Sequence, residues 1–336
     1  MRLYRPLSIG SLELPGNLFQ APVAGYSDRA FRSICIEQGA DFTCTELISS
    51  EAMIRDSAKT ETLIRRADNE TRYAVQLFGS DPEVMARAAA LLAPYKPEVV
   101  DINCGCPVPK VVKTGAGSAL LRDPDRLARI VEAVAAASRA HLGGVPVTVK
   151  IRSGWDGTSI NYRETARTAV EAGAALVALH ARTRSQGYAG TADWSHIADL
   201  VSRLSVPVVG SGDLFKPEDA ERMLRETGCA GVMFARGAMG NPFIFAETRA
   251  LLAEGRYEPI PAAERLAAGF RQLGMLAEDV GEGAACREMR KQFCAYTKGI
   301  EGGAALRNRL VHAETIAHYR DILSSAGALA AGPLPA

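Results

Sequence analysis

Apolar residues fall along this chain in short runs closed by Gly, Pro, Asn or Asp, each followed by a longer stretch with helical spacing. Eight such runs stand out: "NLFQAPVA" (17–24), "DFTCTE" (41–46), "YAVQLF" (73–78), "EVVDIN" (98–103), "VPVTVKI" (145–151), "AALVALH" (174–180), "VPVVG" (206–210) and "CAGVMFA" (229–235). Their length and flanks predict buried strands. Segments such as "DPEVMARAAALLAPY" and "DPDRLARIVEAVAAASRAHL" between them predict amphipathic helices. Asp81-Pro82, Asp123-Pro124 and Asn241-Pro242 each read as an N-cap followed by proline at the first helical position, and Gly39 and Gly143 stand where C-terminal caps belong. Strand and helix alternating in this way predict an α/β fold, a TIM (β/α)8 barrel, over residues 1–250. An open doubly wound sheet would want a Gly-rich dinucleotide fingerprint after its first strand, and "APVAGYSDRAF" lacks one. The short "LSIGSLEL" alternates around a Gly-Ser turn and is expected to form a hairpin under the barrel floor.

Beyond residue 250 the pattern is helical only, in "AAERLAAGFRQLGMLAEDV", "CREMRKQFCAYTKGI" and "NRLVHAETIAHYRDILSS". Pro259 and Pro261 mark a linker into a helical domain at 255–325, and the Pro/Gly-rich end, 326–336, is expected to be a disordered tail.

Composition narrows the partners. With 47% hydrophobic and 23% charged residues and a net charge of +1, the chain is of ordinary globular type, and any surface for a polyanion must be a local patch. The seven cysteines are odd in number and no hydrophobic leader precedes "MRLYRPLSIG", which points to a reducing, cytoplasmic setting without a disulfide framework. No run reaches the length of a membrane span. The Cys104-x-Cys106 pair has no second Cys/His pair at ligand spacing, so no metal is expected.

Barrel active sites sit at the C-terminal ends of the strands, and there the apolar runs are broken by Gln76, Asn103, Lys150 and His180. Singly, each could be a satisfied rim or core residue; from four consecutive strands they can converge on one mouth. Alternation places His180 on the face of Leu176 and Ala178, leaving Val177 and Leu179 for the helices. An inward Lys150 asks for an anionic ligand, because desolvation disfavours its charged form, and a reduced flavin is one such anion. The loops after the last two runs, "GSGDLFKPEDAERML" and "ARGAMGNPFIF", combine small residues with helix starts and Arg236, as phosphate-binding loops of barrels do.

The stretches "APVAGYSDRAFR", "VQLFGSDPE", "DINCGCPVPKVVKTGAGSALLRDP", "VTVKIRSGW", "LHARTRSQGYAGTADW", "GSGDL", "RGAMGNPFIF" and "KQFCAYTKGI" together resemble the tRNA-dihydrouridine synthases, closest to their bacterial B-type branch. The resemblance implies an FMN enzyme that reduces D-loop uridines of tRNA to 5,6-dihydrouridine, with NADPH or NADH recharging the flavin. By the same resemblance, Pro22, Val23 and Ala24 border the isoalloxazine, while Gln76, Lys150 and His180 contact the ring system. Ser211, Gly212, Asp213, Ala235 and Arg236 hold the phosphate. Cys106 matches the catalytic cysteine, and Asn103 and Arg182 match substrate contacts. The chain departs from the family habit at Val23, Ser211 and Ala235, where Met, Asn and Gly are usual.

Chemically, hydride addition to C6 of uracil builds negative charge toward C5 and O4, and a proton must reach C5. A free thiol titrates near about 8.5 and so still carries its proton at neutral pH, which suits Cys106 to that role. Cysteine as nucleophile or as inert core thiol stays open on the residues alone. In 286–312, Arg287, Arg290, Lys291, Lys298, Arg307 and Arg309 outnumber Glu288 and Glu301, with Phe293 and Tyr296 interleaved. With the resemblance in view, this is expected to be a tRNA surface on a monomer, the aromatics serving an unstacked base. Taken blandly, the charges are a solvated helix face and the aromatics are core. The rival readings are an FMN barrel acting on a free pyrimidine, a Schiff-base aldolase using Lys150, and a non-enzymatic RNA-binding scaffold.

Overall fold

A computed structural model of the chain describes residues 2–55 and 58–329. Strands β1 (Leu7–Ile9) and β2 (Leu12–Leu14) form an antiparallel hairpin. Eight parallel strands follow: β3 (Leu18–Gln20), β4 (Thr43–Ser49), β5 (Tyr73–Phe78), β6 (Val99–Cys104), β7 (Val147–Gly154), β8 (Val177–Thr183), β9 (Val208–Ser211) and β10 (Gly231–Phe234). Each overlaps one of the eight apolar runs. Neighbours in sequence are neighbours in the sheet, and β10 pairs back onto β3. A bridge between Phe19 and Phe42 draws together the remaining seam, where Gln20 N–H donates to the Phe42 carbonyl at 2.9 Å and Asp41 N–H to that of Leu18 at 2.9 Å. Closure removes the exposed edges that an open sheet would leave.

The period of two sorts the side chains. Phe19, Cys44, Ala74, Val99, Ala178 and Val209 fill the barrel interior, and Leu7, Ile9 and Leu14 of the hairpin join them at its floor. Val75, Val100, Ile102, Val149, Val177 and Leu179 point outward to the helices. As expected, Asp81 and Asp123 cap helices that begin at Pro82 and Pro124, accepting from the Val84 and Arg126 N–H groups. Asn241 does not act as a cap. The helix there runs Ile244–Glu254 from Phe243, after a tight turn in which the Asn241 carbonyl accepts from Ile244 N–H at 3.2 Å.

The C-terminal region holds helices Ala262–Val280, Glu282–Tyr296, Gly303–Leu310 and Ile316–Ser325. The last apolar pattern is therefore two helices, restarted where the Thr315 hydroxyl accepts from His318 N–H at 3.1 Å. These helices share a core with Ala30 and Ile34 of the barrel helix Arg29–Glu37 and with Phe243. Docking is close at Gly240, where a Cβ would stand 2.3 Å from the Ala295 carbonyl carbon. Ala328 is still buried in this cluster, and residues 330–336 of the expected tail lie outside the described residues. Among the described residues no helix is long and apolar enough to cross a membrane.

Candidate active site

The C-terminal ends of the strands surround a cavity of about 290 Å³. Its lining includes Pro22, Val23, Ala24, Asn103, Cys106, Lys150 and His180, together with Ser211, Gly212, Asp213, Ala235 and Arg236 from the last two strand ends. Two expected residues lie behind that wall. Gln76 is wholly buried, its amide shared between Asp101 and Asn103. Arg182 is buried beside the cavity and does not line it.

Cys106 is held in a turn just past the end of β6. The Asn103 side-chain oxygen accepts from the N–H groups of Gly105 (3.2 Å) and Cys106 (2.9 Å), an Asx-type closure favoured by this residue after a strand. The Cys106 carbonyl in turn accepts from the N–H and hydroxyl of Ser118 at 3.0 and 2.9 Å. That second clamp explains the Gly-Ser that follows in the sequence. Gly117 has φ +61°, and a Cβ there would lie 2.8 Å from the Cys106 carbonyl oxygen. Cys104, next after the inward-facing Asn103 on the strand, is buried in the outward core layer, and none of the seven cysteines is bridged. Burial pushes the half-buried Cys106 thiol upward from its ordinary value, against opposing pulls from the Val108 N–H, Arg152 and Lys150, so it keeps its proton at neutral pH.

The lining is strongly cationic. Lys150 is half-buried and faces the cavity; desolvation, reinforced by Arg152, brings its pKa down to about 8. It makes no hydrogen bond or ion pair among the described residues. Burial drives His180 strongly downward, with Lys150, Arg152, Arg182 and Arg236 adding to the effect, so this imidazole is neutral. Arg182 is anchored by both oxygens of Asp213 (2.8 and 2.7 Å) and by the Gly190 carbonyl (2.6 Å). Asp213 also accepts from the Ala192 N–H at 2.8 Å, and Arg236 approaches it at 3.4 Å. Among the described residues Asp213 is the only carboxylate lining the cavity; it is committed mainly to Arg182, and Lys150, with Arg236 only loosely paired, can meet an incoming anion.

Several residues of this site were missed in the sequence. Arg152 shares the inward face with Lys150 and Thr148, a position legible from the period of two. It donates to the Gly105 carbonyl at 2.8 Å, bracing the cysteine turn, and to Thr183 and Gly187 at 2.9 and 3.0 Å. Tyr188 and Phe215 stand exposed at the rim with the Arg236 guanidinium between them, 4.4 and 5.1 Å from their ring centres. Their loops meet only in the fold.

A second hollow of about 870 Å³ runs from Cys106, Ala24 and Leu47 to the helical region, where Lys291 and Glu288 line it. Lys291 reaches over Tyr26, its Nζ 5.4 Å from the ring centre. Arg287 is exposed on the same helix and Arg290 is half-buried one turn along; Lys298 is exposed just beyond it. The groove is mixed in charge, since Asp28, Glu46 and Asp279 share it with Arg29 and Lys110. The interleaved aromatics are not a base platform. Phe293 and Tyr296 are fully buried; Phe293 stacks on Tyr319 at 5.1 Å and the Tyr296 hydroxyl donates to Gln272 at 2.8 Å, so the bland reading of them holds. Among the described residues no three His, Cys, Asp or Glu side chains cluster as a metal site would require.

Residues 19–328 match the family described as dihydrouridine synthase (Dus). The chain belongs to the dihydrouridine synthase family. It is 56% identical over 329 residues to a probable tRNA-dihydrouridine synthase of Treponema pallidum, covering 96% of this chain and 97% of that one. It is 38% identical over 291 residues to tRNA-dihydrouridine synthase B of Shewanella oneidensis, covering 86% and 89%. Among solved structures, histamine dehydrogenase from Rhizobium sp. 4-9 superposes with a TM-score of 0.59 at 16% identity, over 82% of this chain and 51% of that one. That likeness is one of fold. Parts of the matched stretch meet at the cavity: the turn carrying Cys106, the strand end carrying Lys150 and the two loops around Arg236.

Proposed function

We propose that this dihydrouridine synthase family member reduces uridines of tRNA to 5,6-dihydrouridine, using FMN held at the barrel mouth and NADPH or NADH as reductant. Family membership and the names of the relatives support the reaction. The cationic lining supports a phosphate-bearing, electron-rich cofactor: Lys150 would meet the ring, and Arg236, with the main chain of Ser211, Gly212 and Ala235, would meet the phosphate. Bound there, FMN would supply the hydride that adds to C6 of the pyrimidine.

The observation that carries the rest is the place of Cys106, which lines both the mouth cavity and the groove leading to the helical region. A thiol there meets a base arriving from the groove, and its raised pKa leaves a proton to donate to C5. Asn103 lines the cavity with one of its two N–H donors committed to Gln76. The other suits a pyrimidine carbonyl. Stacked bases expose neither face, so the target must be turned out of the tRNA. Lys291, with Arg290 beside it and Arg287 and Lys298 further out, supplies cations for the backbone.

The test is Cys106→Ala. Dihydrouridine formation should fall by about 10²–10⁴-fold, while NADPH-driven flavin reduction stays near wild type. Unchanged product yield in tRNA, measured by mass spectrometry, would remove the proton-donor role. Loss of specific dihydrouridines from tRNA of cells lacking this protein tests the reaction itself.

A further inference from the structure

Behind the cavity wall a row of polar side chains joins the barrel interior to the cysteine turn. Because Asn103 Oδ1 accepts from two backbone N–H groups, its amide cannot be turned without setting donor against donor. Its Nδ2 therefore donates to Gln76 Oε1, at 2.7 Å. That fixes Gln76, whose Nε2 donates to Asp101 Oδ2 at 2.7 Å. Asp101 Oδ1 accepts from the Thr148 hydroxyl at 2.5 Å. All four side chains are buried, and neither Asp101 nor Thr148 lines the mouth cavity. The row has one polarity and ends on a group that must accept.

An apolar residue would fill this place among Ala74, Val99, Ala178 and Val209 at lower cost than a carboxylate. Burial pushes Asp101 up to about 6, against its two hydrogen bonds and the pull of Lys150; the thiols of Cys44 and Cys104 are the other titratable groups around it. A buried acid kept at such a cost, two residues before Asn103 on the same strand face, marks a functional arrangement.

We propose that Asp101 is a positioning residue for the proton transfer: through Gln76 and Asn103 it sets the seat of the Cys106 backbone, and with it the thiol, at the rim of the cavity. The inference rests on Cys106 as proton donor.

Two substitutions separate the row from the charge. Asp101→Asn keeps the row, since its oxygen accepts from Gln76 and its amide donates to the Thr148 hydroxyl, which can accept. Asp101→Ala breaks it. Both remove the same negative charge near Lys150, so any effect carried by Lys150 is common to the pair. The two half-reactions are followed on flavin-loaded protein: reduction by NADPH, and reoxidation by tRNA that lacks dihydrouridine. The variants should reduce flavin at rates within about twofold of each other. Reoxidation by tRNA should be at least about tenfold slower in Asp101→Ala than in Asp101→Asn, as a sub-ångström misplacement of the donor demands. If Asp101→Ala lacks a cooperative melt, Gln76→Leu, which breaks the row but keeps the Asp101 charge, takes its place and should show the same split against the wild type. Matched reoxidation rates, with Cys106→Ala inactive, overturn the positioning role alone. Full turnover by Cys106→Ala overturns the donor reading and this inference with it.

Discussion

Asp213→Asn is a perturbation small in shape and large in charge. Asp213 sits at φ +57°, a left-handed conformation that Asn tolerates as well as Asp, so the backbone has no reason to move. What changes is the electrostatics around Arg182, which is 2% exposed and holds both carboxylate oxygens. Removing one partner of a buried pair costs about 3–5 kcal/mol. The Asp213 side chain is 21% exposed and Arg182 keeps the carbonyls of Gly190 and Ala189, which places the cost near about 3 kcal/mol. At about 2–3 °C per kcal/mol for a chain of this length, the ligand-free protein should melt about 6–9 °C lower. The same change removes the only carboxylate lining the cavity among the described residues, so an anion should regain part of the loss. Thermal melts with and without FMN should therefore show a larger ligand-induced shift in the variant than in the wild type. A ligand-free melt within about 1 °C of wild type would refute the argument that Asp213 neutralises a buried guanidinium.

Lys150, lowered to about 8, is an ammonium below that pH and loses its charge above it. FMN affinity should accordingly weaken as pH rises through about 8 and beyond, since a bound anion itself favours the ammonium, and Lys150→Met should flatten the profile; fluorescence titration from acid to alkaline pH decides it. Gly117→Ala should cost about 1–2 kcal/mol for its left-handed φ alone. It should slow dihydrouridine formation more than flavin reduction, because the new methyl meets the Cys106 carbonyl; equal effects on both steps would detach Gly117 from the cysteine turn. Charge reversal at Arg290 and Lys291 should weaken tRNA binding and reduce the slope of its salt dependence by about one per lost phosphate contact, measured by filter binding over a salt series. No change in either would move the RNA surface off this helix.

The barrel was legible because its signal is local. Apolar runs of strand length alternate with helical spacing eight times, and the inward or outward sense of Lys150, His180 and Leu179 follows from a period of two. Cys106, Asn103 and the glycine-containing loops stood out because strand ends and turn residues announce themselves in sequence. Phe293 and Tyr296 misled for the opposite reason: an aromatic beside basic residues has the same local pattern whether it faces solvent or a core, and the helix packing of Tyr319 and Gln272 chose the core.

What the sequence determined by itself was the order of elements, the faces of the strands and the chemistry offered at their ends. What only the tertiary structure decided was which groups answer one another. Asp101, Gln76 and Asn103 come from neighbouring strands, and Arg182 finds Asp213 across 31 residues of chain. Hydrogen bonds and buried charges are satisfied by whatever the fold brings within about 3 Å, and that distance is set by the closure of the barrel rather than by spacing along the chain.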